Sequence, residues 1–293
     1  MTLDRLIELI LFNLRRGAQA ACYDYVASRR IRDFRLPPNA GPAPPVAVHL
    51  VVGREDWRRA AWTLASWHHF TERRWDLVLH DDGTLPPEAN TLLQSIFPNA
   101  RLVSRREADD KMARVLAPYA KCQAYRLLHP AALKVFDAAQ FCHTQRFILL
   151  ESRMLFEGLP QAALDWATAQ EEDRRCLFLP GRDQATPLPS GEARQKLKIQ
   201  VAPNLETGLV LYWRDALDLP FCELALRETS LGSAPADKIG PALLILCASR
   251  DQRAAALPEE RSVLHYPGQE AVSRFFSEGV RRLGPVLLPS KKV

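Results

Sequence analysis

Apolar positions change period along the chain. From Leu3 to Leu14, the residues Leu3, Leu6, Ile7, Ile10, Leu11 and Leu14 fall at i, i+3, i+4, i+7, i+8 and i+11, the spacing of an amphipathic helix. Asp4 and Glu8 lie in its early turns, and Arg15 and Arg16 close it before Gly17, an order that complements the helix dipole. A second helical stretch is expected over about 18 to 34. Together the two read as a helical hairpin packed on the main body. The alternative is a membrane-surface or partner-binding helix, since its polar face ends in arginines. Prolines then take over. "LPPNAGPAPP", 36 to 45, holds five of them and suits neither a helix nor an inner strand. The expected division is an N-terminal helical extension over 1–36, a Pro-rich linker over 37–45 and a main domain over 46–293.

From 46 onward short apolar runs alternate with helical patterns. "VAVHLVV" (46–52) reads as a strand ending at Gly53, and 56–70 as a helix with Trp57, Ala60, Ala61, Leu64 and Trp67 on one face. "WDLVLHDDG" (75–83) is a strand that stops on two acids and a glycine. Helix is expected in "PPEANTLLQSIF", strand in "ARLVS", and helix over 124–141 with a kink or break at Pro130. "RFILL" (146–150), "CLFLPG" (176–181) and "TGLVLYW" (207–213) follow as strands, and "IGPALLILCAS" as a core helix. The polar, Pro-bearing stretch 182–203 reads as a loop or lid. Strands alternating with helices imply an α/β fold with a mainly parallel sheet. Ligands then bind beyond the carboxyl ends of the strands. Gly53, His80-Asp81-Asp82 and Glu151-Ser152-Arg153 would share that edge.

Composition narrows the function classes. The 39 basic and 34 acidic residues leave a mild net charge of +5, which suits an anionic small molecule or membrane face. Nucleic acid is not expected as a partner, because no basic run is interleaved with aromatics; Arg29-Arg30-Ile31-Arg32 reads as a solvated helix end. The six cysteines are scattered, without a Cys-x-x-Cys pair or zinc spacing, and read as buried free thiols in a cytoplasmic protein. No signal peptide or spanning segment is expected from the pattern.

The candidate chemistry centres on "RFILLESRMLF" (146–156), a buried strand that ends on Glu151, Ser152 and Arg153. Taken in order with "HLVVGREDW", "HDDGTL", "FPNARLV", "KVFD", "NLETGLVLYW" and "LHYPG", it resembles bacterial glycosyltransferases of the GT-A fold, over about 46 to 279. The resemblance implies a GT-A-like sheet that binds a nucleoside diphosphate sugar across its strand ends and transfers the sugar to an acceptor. In such a site Val51 and Gly53 would line base and ribose, and Asp81 and Asp82 would contact uracil or ribose. An Asp-Gly turn is the plainer reading of that pair. Lys134, followed by Asp137, would face the donor phosphates, with a solvated lysine as the alternative. Asn204, Thr207 and Gly208 match a stretch beside the sugars, Glu206 is a candidate general base, and His265 would approach the diphosphate.

Glu151 and Arg153 stand at the two positions of the family's Asp-x-Asp motif, whose acids hold Mg²⁺ or Mn²⁺ against the diphosphate. Here the motif is degenerate. An arginine disfavours a cation but binds phosphate oxygens through its fork. The family's acid-glutamine pair before the last core helix is also replaced, by Asp237-Lys238-Ile239-Gly240. Three readings stay open: metal-free glycosyl transfer with Arg153 in the ion's place, an inactive relative that binds a nucleotide-sugar or acts as a scaffold, or a peripheral membrane adaptor using the helix over 3–16. Arg153 could also pair internally with Glu151 or Asp82 and bind nothing, and dependence on Mg²⁺ or Mn²⁺ is disfavoured but stays open.

Overall fold

The computed structural model describes residues 27–37, 41–42, 44–169, 172–181, 187–258, 262–265 and 276–288. The helix expected over 3–16, Cys22, and the part of the second helical stretch before 27 lie outside the described residues. So do 38–40 and 43 of the Pro-rich linker, 182–186 of the expected lid, and Tyr266 to Gly268.

In chain order the strands are β1 (Val46–Val52), β2 (Asp76–Asp81), β3 (Arg101–Val103), β4 (Arg146–Leu150), β5 (Met154–Phe156), β6 (Cys176–Pro180), β7 (Leu205–Trp213), β8 (Ala254–Ala256) and β9 (Val263–His265). The longer α-helices are α1 (Trp57–Thr71), α2 (Pro87–Ile96), α3 (Arg105–Val115), α4 (Ala120–Leu128), α5 (Phe136–Phe141), α6 (Gln161–Thr168), α7 (Leu219–Glu228), α8 (Ala236–Arg250) and α9 (Ser277–Leu287). A short helical turn, Ser190–Glu192, continued as a π turn, Ala193–Leu197, falls within the stretch expected as a loop or lid. The protein is a mixed α/β fold whose central sheet runs β3-β2-β1-β4-β7-β6-β8, flanked by helices. All neighbours pair in parallel except β7, which runs antiparallel to both β4 and β6. Every residue of β4 is buried, as the unbroken apolar run Phe147 to Leu150 demands of a central strand. Pro130 acts as expected. It ends α4 and opens a 3₁₀ turn, Pro130–Lys134, before α5 begins.

Three local expectations are revised. Residues 27–33 form a 3₁₀ helix, Ala27–Asp33, whose Ile31 and the following Phe34 are buried in the same core as the sheet. Burial around α1 is wider than one face, reaching Trp62, Ala65 and Ser66 as well as the expected residues. The reason is tertiary: α1 is covered on its outer side by Ala27–Asp33, α9 and β5. The three tryptophans of α1 are core residues, with Trp67 packed on Trp75 and Phe156 at ring distances of 4.8 and 5.0 Å. His80, expected at the polar edge of the sheet, is instead fully buried, with its Nε2 2.9 Å from His49 Nδ1. Among the described cysteines all are buried thiols, and Cys222 and Cys247 meet at 3.4 Å. No helix among the described residues is long and apolar enough to cross a membrane.

Candidate functional site

Sheet register brings the polar strand ends to one edge. Leu50 of β1 pairs with Leu150 of β4, and Val52 pairs with Asp81 of β2, so Gly53, Asp82 and Glu151 follow side by side. Because β7 is antiparallel, it presents its beginning there: Leu209 pairs with Leu150, and the Gly208 carbonyl accepts from the Glu151 N–H at 3.0 Å. Between Phe178 and Leu179 the β6–β7 register shifts, which leaves Thr207, Gly208 and Leu209 unpaired on the β6 side. A small second sheet completes the edge. β5 follows the 151–153 turn, and β9 pairs against it with Met154 opposite His265. The hydroxyl of Thr63 donates to the Met154 carbonyl at 2.7 Å, and the Phe156 N–H donates to Ser66 Oγ, which pins β5 to α1.

Glu151 is the hub of this edge. It is 8% exposed, and it holds three cationic groups. Its Oε1 accepts from Lys134 Nζ at 2.8 Å, and its Oε2 accepts from Arg153 Nη2 at 3.0 Å. His265 Nε2 lies 3.4 Å from the same Oε2, near enough for attraction but short of a formed hydrogen bond. His265 Nδ1 faces Glu206 Oε2 at 3.2 Å. Burial by itself would raise the Glu151 pKa; Lys134, His265 and Arg153 outweigh it and hold the carboxyl well below the usual carboxylate range. For His265, burial would lower the pKa, but the flanking carboxylates of Glu151 and Glu206 win and raise it. The hydrogen bond from His265 in turn lowers Glu206. The imidazolium form is therefore favoured between two ionised acids. Gly208 makes room for that ring: a Cβ there would sit 2.7 Å from the imidazole.

Beside the hub opens a crevice of about 640 Å³. Its cations are Arg54, Arg59, Lys134 and Arg153, and its acids are Glu55, Asp56, Asp82 and Glu151. Asp56 ties the first βα turn to the motif: its Oδ1 accepts from the Gly53 N–H at 3.0 Å and its Oδ2 from Ser152 Oγ at 2.8 Å. Asp82 Oδ1 accepts from the N–H and hydroxyl of Thr84, and Thr84 Oγ1 accepts from the Arg54 N–H. Gly53 has no room for a side chain, since a Cβ would fall 2.1 Å from Asp82 Oδ2.

The expected site residues thus separate. Lys134, Glu151, Arg153, Glu206, Gly208 and His265 are drawn into one cluster, and Asp82 joins Lys134, Glu151 and Arg153 in the crevice wall. Asp81 turns away to cap the Asp-Gly turn, accepting from the N–H groups of Gly83 and Leu85. Val51 pairs with His80 inside the sheet, and Asn204 occupies a left-handed turn ahead of β7, where its carbonyl accepts from the Gly181 N–H. Asp137 is buried in a two-pronged pair with Arg126, away from the crevice. Arg54, Asp56 and Arg59 are new, and Ser152, expected only as part of the edge, is tied in through Asp56. Asp56 just before a helical pattern was the one signal that could have pointed to them.

The residues do not fit the divalent ion that the resemblance implies. Both oxygens of Glu151 already face cations, and the second acid position carries Arg153, whose charge adds repulsion. Glu151 and Glu206 face opposite nitrogens of His265, so the three do not converge on one point. Among the described residues no group of three or more His, Cys, Asp or Glu side chains could hold a metal ion.

No family model matches the chain, and no curated protein matches it in sequence. Solved structures to which it is similar include mouse xyloside xylosyltransferase 1 in its apo form, at 12% identity over 72% of this chain and 84% of that one, with a TM-score of 0.45. Another is the galactosyltransferase LgtC with donor and acceptor sugar analogues, at 11% identity over 84% and 98%, TM-score 0.45. A third is the Pyrobaculum calidifontis mannosyltransferase PcManGT with GDP-Man and Mn²⁺, at 14% identity over 85% and 65%, TM-score 0.46.

Proposed function

We propose that the protein binds a nucleoside diphosphate sugar in the crevice beside Glu151 and transfers the sugar to an acceptor without a divalent ion. The observation that carries this reading is a crevice of about 640 Å³, lined by four cations and four acids, at the carboxyl edge of the parallel strands β1, β2 and β4. That volume lies within the usual range of ligand sites. Both signs are needed by such a donor, cations against the diphosphate and carboxylates against ribose or base hydroxyl and N–H groups. The resemblance read from 46 to 279 supports the same reading.

In this scheme Glu151 gathers Lys134, Arg153 and His265 into a rigid cationic wall. Preorganised charge of this kind stabilises the negative charge that develops on a departing nucleoside diphosphate. Asp82 would hold the nucleoside end. Glu206, with its pKa lowered by His265, is a weak base, so its part is to keep His265 charged and in place. One observation favours binding without turnover as a second reading: the acids of the cluster are all engaged by cations, and none is held at a pKa suited to deprotonating an acceptor.

The test is thermal stability with UDP, GDP and their sugars, with EDTA and then with Mn²⁺. At a hundredfold excess over Kd a ligand adds about 2.7 kcal/mol, a rise of several degrees at this chain size. The expected result is a rise with at least one nucleotide in EDTA, unchanged by Mn²⁺, accompanied by release of nucleoside diphosphate from the matching sugar donor. Binding without release selects the second reading, and no shift with any nucleotide rejects both.

A further inference from the structure

We infer that Arg59, assisted by Arg54, is the principal ligand for a diphosphate in this crevice, and that Arg153 and Lys134 are positioning residues that hold Glu151. This rests on the nucleotide-binding reading for the identity of the ligand, but its grounds are separate. Lys134 and Arg153 are already paired within the protein, at 2.8 and 3.0 Å from the two oxygens of one carboxylate. Arg59 is not. It lies in the first turn of α1 and lines the crevice, and its Nε is enclosed with no hydrogen-bond partner. Among the described residues it makes no ion pair.

Two of the nearby acids are otherwise engaged, and the third, Glu55, makes no ion pair with either arginine among the described residues. Asp56, one helical turn before Arg59, uses Oδ1 on the Gly53 N–H and Oδ2 on the Ser152 hydroxyl. Asp82 uses Oδ1 on Thr84 and lays Oδ2 over Gly53. Arg54, across the same turn, likewise has no ion pair among the described residues. An enclosed N–H of a charged group without an acceptor is unfavourable. It persists where a ligand supplies the acceptor. Two uncommitted guanidinium groups on one lip of a crevice match the paired charges of a diphosphate, each able to bind two oxygens.

The experiment measures binding of inorganic pyrophosphate, UDP and GDP in EDTA by calorimetry, for wild type, Arg59→Gln, Arg59→Lys and Arg153→Gln, with the unliganded melting temperature of each. Arg59→Gln is expected to weaken pyrophosphate at least tenfold, with Arg59→Lys intermediate, while its unliganded melting temperature stays level or rises. A merely structural arginine would lower it. Arg153→Gln is expected to lower the melting temperature and to weaken pyrophosphate less than Arg59→Gln does. Arg59→Gln binding within twofold of wild type overturns the inference, and so does Arg153→Gln losing more affinity than Arg59→Gln. Pyrophosphate bound through Arg59 with no affinity for UDP or GDP would keep the inference and reject the nucleotide-sugar reading. Wild type binding none of the three overturns both.

Discussion

Glu151 explains why an arginine can stand where a second acid would be expected. A lone buried carboxylate is unfavourable, and so is a buried cation, but one carboxylate shared by Lys134, Arg153 and His265 offsets both. Replacing Glu151 with Gln would leave three cationic groups facing one another. Breaking a buried pair costs roughly 3–5 kcal/mol. Lys134 and Arg153 are each about a third exposed, at 29% and 32%, so solvent screens part of that loss. The expected loss for Glu151→Gln is therefore roughly 2 kcal/mol, read as a lower denaturation midpoint with an unchanged slope. Arg153→Gln alone should lose less, since Lys134 still holds Oε1. An unchanged midpoint in Glu151→Gln would show that the cluster does not stabilise the fold.

At the scale of elements, β5 and β9 are too short to be read from pattern, at three residues each, yet they carry His265 to the hub. Their placement depends on α1, through Thr63 and Ser66, and on the space at Gly208. Gly208→Ala tests that dependence. A methyl 2.7 Å from the imidazole must push the ring from between Glu151 and Glu206, because both acids confine it. The expected stability loss is about 1–3 kcal/mol, the usual range for overpacking. The His265 pKa, followed by NMR titration, should fall back toward the ordinary 6.5. A pKa still raised in Gly208→Ala would mean that the ribbon moves with the ring. The long elements were legible in advance for the opposite reason. β1, β2, β4, α1 and α8 each carry enough periodic or unbroken apolar residues to identify themselves. α3, with Ala108 and Met112 its only buried residues, and the short α6 did not.

For the molecule as a whole, buried histidines set the pH dependence of stability. Burial holds His68 at about 4 and His80 at about 3, and lowers His49 well below 6.5. Below 6.5 the unfolded chain takes up protons that these folded residues refuse, so stability falls as the pH drops. His68 alone accounts for roughly 3 kcal/mol across its window, at 1.36 kcal/mol per pKa unit. The lowered Glu151 adds a further loss below about 4.5. His265 acts in the other direction: its contribution is complete below 6.5 and fades as the pH rises through its raised folded value. With the part-buried His69 also lowered, four histidines stand against one, so the denaturation midpoint should fall from pH 7 to pH 4, and His68→Gln should flatten that fall. A midpoint that is level across this range would mean that the buried rings accept protons in the folded state.

By itself the sequence determined the alternating α/β order and the gathering of Gly53, Asp82 and Glu151 at one edge. These follow from local period and from the rule that parallel strands end on the same side. It also marked Lys134, Arg153, Glu206 and His265 as candidates for that edge, through the resemblance. Only the tertiary structure decided how they meet. The antiparallel run of β7 brings the start of that strand to the edge, and β9 places His265 against Glu206, 59 residues earlier in the chain. It also decided which charges are already compensated. Whether a cation faces a partner or an open crevice depends on distances of a few ångströms between distant segments, and no local pattern encodes them. Arg153 and Arg59 look alike in the sequence; in the fold one is held by Glu151 and the other lines the crevice with its Nε unpartnered.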